Sequence, residues 1–563
     1  EVKGHKETTA KPNILDRTYE KFNAGFLRLQ SRYAALLAAV LAHSRRSFIS
    51  VAVVVSSAFI LLPFVGRDFF PTVDAGQIRL HVRAAPGTRL ENTKIIFSQV
   101  TRELRRTIPA NEIELILDNI GRPAESFNFA FGDGATIGTF DGEILLALKE
   151  GEHGPTAKYV ETLRRTLPQR FPGLLFYFQP ADIVSQVLNF GLPAPIDIQV
   201  AGYDPKNYDV ARNIRTAIAG LPGIVDAHVH QVMDGPDLHL DIDRSRAAEF
   251  GLTEQDVSNS LFVSLASSSQ VQPNFWLDPK MGMTYLVAAQ TPQYRLNSVA
   301  AVENTPIPVK TGGRPQMLSN LAQVSHSIHP VNANHRDVQP VYDVYANVQN
   351  SDLGSVAGKV ETVAARFRKQ LSPGSQIFVR GQVESMTEAF ERLGIGLVFA
   401  GVLVYLLMVV NYQSWKDPFI IITALPGAFT GIVWALFLTQ STFNVPSLMG
   451  AIMSIGVATA NSILLVTFAS ERMEAEKLKP MDAAIEAGST RLRPICMTAL
   501  AMIIGMVPMA LGLGEGGEQN APLARAVIGG LSVATFATLF FVPLMFMILH
   551  RTTHSVTALG EEK

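Results

Sequence analysis

Phe48-Ile-Ser-Val-Ala-Val-Val-Val-Ser-Ser-Ala-Phe-Ile-Leu-Leu-Pro-Phe-Val65 is apolar over the length of a membrane crossing and carries no charge. A hydrocarbon core of roughly 30 Å takes about 20 helical residues to cross. Working outward from this stretch, the chain continues as a long, charged and mostly polar region. Five more apolar runs then crowd towards the C-terminal end. The six runs are 48–66, 393–410, 418–439, 445–469, 494–513 and 526–549. Their length and lack of charge set them apart from the buried helices of a large soluble protein. The pattern predicts an α-helical polytopic membrane protein with six transmembrane helices and one large external domain.

Cations mark one side of this plan. Arg32, Arg45 and Arg46 precede the first run, and Lys416 follows the second. Arg472, Lys477, Lys479, Arg491 and Arg493 lie around the link between the fourth and fifth, and Arg551 follows the sixth. The alternate links are poorer: Thr439 to Asn444 has no cation, and 514–525 sets Arg525 against Glu515 and Glu518. By the positive-inside rule both ends of the chain are cytoplasmic and 67–392 is exported. The amphipathic segment 1–47 and the tail 550–563 then lie in the cytoplasm.

The net charge of −1 and the hydrophobic fraction of 47% average over these unlike segments. No strongly basic or acidic face stands out, so nucleic acid is not an expected partner. The single cysteine, Cys496, falls inside an apolar run, which leaves the external domain to be stabilised by its own core. The chain starts at Glu1 without a signal-peptide pattern and is expected to be part of a longer polypeptide.

The external region alternates period-2 and period-3.6 patterns. Strand, helix and strand are read at Gln77–Arg83, Leu90–Arg106 and Glu112–Asp118, then at Glu143–Leu148, Ala157–Leu167 and Leu174–Phe178. A second set runs through Ile196–Val200, Tyr208–Ala219 and Ile224–His230, and is completed by Pro340–Val348, Leu353–Gln370 and Gln376–Arg380. This spacing argues for small split β-α-β, ferredoxin-like subdomains in an α+β domain. One subdomain is expected at 67–185. The other is expected at 186–235 and 336–392, interrupted by an insert at 236–335.

Several motifs together resemble the C-terminal half of a resistance-nodulation-division (RND) transporter of the hydrophobe/amphiphile efflux class. They are Asn411-Tyr-Gln-Ser-Trp-Lys-Asp-Pro-Phe419, Gly456-Val-Ala-Thr-Ala-Asn-Ser-Ile-Leu-Leu-Val466 and Arg491-Leu-Arg-Pro-Ile-Cys-Met-Thr498. A weaker element is Leu240-Asp-Ile-Asp-Arg244 with Ala247 and Gly251. The resemblance covers essentially the whole chain. It implies a proton-driven multidrug exporter in the inner membrane of a Gram-negative cell, with porter subdomains in the periplasm and 236–335 as a docking insert. It further implies a homotrimer working with a periplasmic adaptor (membrane fusion) protein and an outer-membrane channel. The expected cargo is small and amphiphilic, drawn from the periplasm or the membrane lipid.

No Asp, Glu, Lys or His lies deep in any of the six runs, although intramembrane ionisable groups are the default markers of a proton path. The nearest charges are Arg491 and Arg493, with Asn461, Ser462 and Thr498 as polar neighbours. From position alone Arg491 reads as an interfacial anchor. The resemblance makes Arg491 and Thr498 relay residues serving acids of the missing half, with Asn461 either a third member or a packing residue. Ala460 stands where strongly coupled relatives carry a lysine, so charge balance is expected to differ here.

Ser126-Phe-Asn-Phe-Ala-Phe-Gly-Asp-Gly134 places Phe127, Phe129 and Phe131 on one face of a strand. That face is either a core edge or the wall of an apolar cargo pocket. The resemblance to the family's switch loop favours the pocket, with Phe140 as a further candidate and Phe176 and Phe178 as weaker ones that could instead belong to the core. His228 and His230 share a strand face but have no third ligand near in sequence, and Met281 and Met283 fall in the insert, so no metal site is expected. Gly512-Leu-Gly-Glu-Gly-Gly517 follows a membrane run rather than a strand, and no Walker motif occurs. Neither an enzyme activity nor a cofactor is expected. A lipid or protein exporter of the same superfamily, or a porter-like receptor that transports nothing, remain as alternatives.

Overall fold

The computed structural model describes residues 14–121, 136–188, 192–309, 312–513 and 516–558. Six helical segments are long and apolar enough to cross a membrane: Ser44–Phe64, Gln382–Tyr412, Lys416–Leu438, Val445–Ala475, Pro480–Ala510 and Gly517–His550. We number them as spans one to six. Several outrun the apolar stretch that announced them. The second starts at Gln382, directly after Gly381 of the last strand, so sheet and span are continuous. The fifth starts at Pro480, because Pro fits the first turn of a helix, and continues through Pro494 and Pro508.

Small residues set the packing of the bundle. Spans three and six approach so closely that a Cβ on Gly431 would lie 2.1 Å from the Gly529 carbonyl oxygen. Spans three, four and six form the interior, whereas one and two are almost entirely exposed along their apolar windows. An amphipathic helix, Ile14–Ala42, lies against spans five and six and buries Tyr33, Leu37 and Leu41.

Among the described residues, the external region holds a four-stranded and a five-stranded antiparallel sheet, beside three two-stranded ones. In the first, β1 (Gln77–Arg83), β2 (Ile113–Ile120), β3 (Asp141–Leu148) and β4 (Leu175–Gln179) lie in the order β2-β3-β1-β4. Helices Leu90–Thr107 and Thr156–Arg170 supply Phe97, Val100, Leu104, Leu163 and Leu167 to a core shared with Leu80 and Ile144. In the second, β5 (Ile196–Ala201) lies between strands Gln339–Val348 and Gln376–Gly381, and β6 (Ile224–Val229) pairs with the outer side of Gln339–Val348. Each sheet therefore interleaves two β-α-β segments in the same strand order.

Between the second and third strands of this second sheet the chain makes an excursion. It leaves through β7 (Gly235–Ile242) and returns through Ala322–His329, which pairs with β7 along its whole length. The excursion has its own core of Ala247, Val257, Leu261, Ile307, Leu318 and Leu321. Its hairpin Asn274–Leu277/Thr284–Val287 exposes Phe275, Trp276, Leu277 and Met281.

Candidate functional site

The fifth span is helical from Pro480 to Ala510, so Arg491 and Thr498 sit on one helix two turns apart. The Thr498 hydroxyl donates to the Ile495 carbonyl at 3.0 Å and faces the Asn461 Oδ1 of the fourth span at 3.5 Å. Asn461 is buried, whereas Ala460 and Thr498 are exposed along the flank of the bundle. Arg491 joins this group less directly. Its guanidinium lies 4.9 Å from the ring centre of Phe468, and among the described residues its Nε has no hydrogen-bond partner. Arg493 instead lies over Phe26 of the amphipathic helix.

The fold also gives Ser462 and Tyr412 partners that sequence spacing did not single out. Ser462 meets Thr538 of the sixth span at 3.2 Å, and the Tyr412 hydroxyl pairs with Thr467. Ser and Thr at helical spacing also bond back to their own helix, so nothing in the sequence distinguishes the ones that bridge.

Of the expected cargo residues, Phe127, Phe129 and Phe131 lie outside the described residues. Phe140 is buried in a small cluster with Ala84, Ile137 and Val232. It also lines a cleft of about 290 Å³ with Gly87, Gly138, Pro236 and Val331, where the loops of the first sheet meet the lead-in to the excursion. Phe176 and Phe178 take the core alternative. Both are buried in the core of the first sheet, where alternation along β4 turns them inward against the helices. They present no wall to a cleft in this conformation.

The two sheets are joined edge to edge at β4 and β6. Asp226, with φ +56°, receives Arg164 through Nε and Nη2, the Phe178 amide and the Asn347 side-chain amide. Beside this joint runs a buried seam. His81 bonds Asp141 and stacks on Tyr177 at 4.2 Å, and Tyr177 stacks on His228 at 3.9 Å. The Arg83 guanidinium reaches Asp141, the Tyr177 hydroxyl and the His230 carbonyl. Burial raises the Asp141 carboxyl, but His81 and Arg83 outweigh it and hold the group below the usual range. Burial first, then Arg83, pushes His230 down to about 3. Burial also drives His228 well below its ordinary value. His228 stacks on Tyr177, whereas His230 lies tilted against Tyr345 at 5.4 Å.

With this geometry in view, the family model described as AcrB/AcrD/AcrF matches residues 2–550. The chain belongs to the AcrB/AcrD/AcrF family of RND permeases. Its relatives in that family include a cation efflux system protein CzcA of Alcaligenes sp. (strain CT14), 26% identical over 96% of this chain and 50% of the relative. They also include a multidrug resistance protein MdtC of Yersinia enterocolitica, 25% identical over 96% of this chain and 51% of the relative. The crystal structure of a heavy metal efflux pump superposes with a TM-score of 0.76 at 25% identity, covering 94% of this chain and 53% of that one. The chain spans about half the length of the curated relatives it matches. The proteins of this family are multi-pass membrane transporters.

Proposed function

We infer that this chain is the C-terminal half of a proton-motive-force-driven exporter of hydrophobic or amphiphilic compounds. The observation that carries the reading is the Thr498–Asn461 contact on an exposed flank, with Arg491 two turns away on the same helix and its Nε unpaired among the described residues. Buried polar groups without partners are rare and call for a role. Acids of the other half, packed on this flank beside Ala460 and Thr498, would supply the partner for Arg491 and bind the transported proton. In this reading both ends of the chain are cytoplasmic, and the two sheets are periplasmic porter subdomains at 67–185 and at 186–235 with 336–392. The excursion, 236–335, is a docking unit. Its exposed apolar hairpin gives a homotrimer, an adaptor or an outer-membrane channel a surface to pack on. Cargo would pass the Phe140 cleft.

A second reading, export of heavy-metal cations, is favoured by the names of the cation-efflux relatives and of the superposed pump. One experiment separates the two. The complete transporter is placed in vesicles, a proton gradient is imposed, and export of an amphiphilic dye and of zinc or cobalt is followed. Dye export that depends on the gradient is expected, and metal export without dye export would establish the second reading. Arg491→Ala should lower gradient-driven export on the order of a hundredfold, as expected for loss of a positioned group in proton transfer. Ala460→Lys should shift its pH dependence to lower pH, since a nearby cation favours ionised acids. Export that Arg491→Ala leaves unaltered would remove Arg491 from the relay.

A further inference from the structure

Pro543 in the sixth span has no amide hydrogen, so the carbonyl four residues before it, Leu539, loses its α-helical donor. The helix responds locally. Ala537–Phe541 forms a π-helical segment, with the Val542 amide bonding the Ala537 carbonyl five residues back. Such segments are rare and gather at functional sites. The Leu539 carbonyl then receives a donor from far away in the chain. The Tyr33 hydroxyl of the amphipathic helix donates to it at 2.7 Å, and both residues are buried.

The approach is built for this bond. The Tyr33 ring packs edge-on against Phe540 at 5.4 Å, and the Gln30 side-chain amide holds the same helix to the Ser489 carbonyl at 2.9 Å. Gly488 leaves the hydroxyl its space, since a Cβ there would lie 2.6 Å from it. One residue before Leu539, the fully buried Thr538 meets Ser462 at 3.2 Å, and Ser462 directly follows Asn461. A hydroxyl on the amphipathic helix is thus linked to the Asn461–Thr498 pair through two hydrogen bonds and two chain-neighbour steps.

We propose that Tyr33 is a positioning residue for the transport reaction. Its hydroxyl replaces the donor that Pro543 removes, holds the π-helical segment of the sixth span, and so sets Thr538 against Ser462 beside the relay. The proposal rests on the relay reading above. It makes the amphipathic helix a working part of the membrane machinery, because displacing that helix would leave the Leu539 carbonyl without its donor and the π-helical segment without its anchor.

The test is a double-mutant cycle in the complete transporter. Tyr33→Phe leaves the Leu539 carbonyl buried without its donor, and it should lower the melting temperature and move the pH profile of gradient-driven export. Pro543→Ala restores an amide to that carbonyl, so on this background adding Tyr33→Phe should change neither stability nor the pH profile further. Gly488→Ala, which crowds the hydroxyl while keeping the ring, should reproduce Tyr33→Phe and serves if that variant fails to fold. Equal destabilisation by Tyr33→Phe on both backgrounds would reduce Tyr33 to a packing residue and overturn the proposal. A stability cycle that behaves as expected while the export pH profile stays unmoved would overturn the positioning role. The relay reading fails by a separate result, an Asn461→Ala variant that exports normally at every pH.

Discussion

Asp226 shows how much one side chain can carry. Its backbone sits in the left-handed region, which Asp and Asn tolerate better than most residues, and its carboxylate gathers Arg164, the Phe178 amide and Asn347 from both sheets. Asp226→Ala leaves a mostly buried guanidinium without its counter-charge and should destabilise the external region by about 3–5 kcal/mol. Asp226→Asn keeps an acceptor and the backbone preference and should lose less. Chemical unfolding checks both, and an alanine variant as stable as the parent would show that the sheets are held elsewhere. His230 gives a pH prediction of definite sign. Its folded value of about 3 lies below the ordinary 6.5, so unfolding takes up a proton that the folded state refuses. The stability it contributes is complete above about pH 6.5 and is lost as pH falls from there towards 3, by up to about 1.4 kcal/mol per pH unit. His228 acts in the same direction. Melting temperature against pH should fall through this window, and a His228→Gln/His230→Gln variant should flatten the fall.

At the scale of elements, the tightest joint is between spans three and six. Gly431 and Gly529 face each other so closely that a Cβ on Gly529 would lie 2.2 Å from the Ala435 Cβ. Small residues let helices in lipid approach until backbone packing holds them. Gly529→Val should separate the pair and lower stability in detergent by roughly 1–3 kcal/mol, the usual range for overpacking. Thermal unfolding of the purified chain reads this directly, and a melting curve like the parent's would mean the helices can slide apart without loss. Elements were also the scale most legible in the sequence. Alternation and helical spacing placed β1 and helix Leu90–Thr107 to within a residue or two at either end, because each period reports burial on one face. Helix ends were less legible. Hydropathy marks only the greasy part of a helix, so it missed the polar turns from Gln382 and from Pro480. The π-helical segment was illegible in its own stretch, since its cause is a missing donor at Pro543 and its remedy lies on another helix.

In the whole molecule, the site most hidden from sequence reading joins membrane to sheets through residues hundreds of positions apart. Where the first span ends, Gly66 and Asp68 pair by backbone with Phe443 in the link between spans three and four, at 2.7 and 2.9 Å. The Asp68 carboxylate accepts the Leu353 amide at 2.7 Å and a bond from Thr442, while Asp352 accepts the Arg67 amide at 2.9 Å. One clamp therefore ties spans one and four to the first turn of helix Leu353–Arg368, which packs on the second sheet. Burial pushes the Asp68 carboxyl up, although its hydrogen bonds to Leu353 and Thr442 oppose this. Coupling between distant sites travels through rigid elements in contact, and this contact touches both the span that carries Asn461 and a porter-like sheet. On the exporter reading proposed above, Asp68→Ala should then leave proton entry intact while cargo export falls. In vesicles holding the complete transporter, gradient collapse and dye export are measured together. Proton flux retained with export lowered severalfold is the expected outcome; parallel loss of both would mean that Asp68 only stabilises the fold, and export at the parent's rate would mean that force passes elsewhere. Asp68→Asn, which keeps an acceptor for the Leu353 amide without the charge, should keep most of the export if the clamp works by hydrogen bonding.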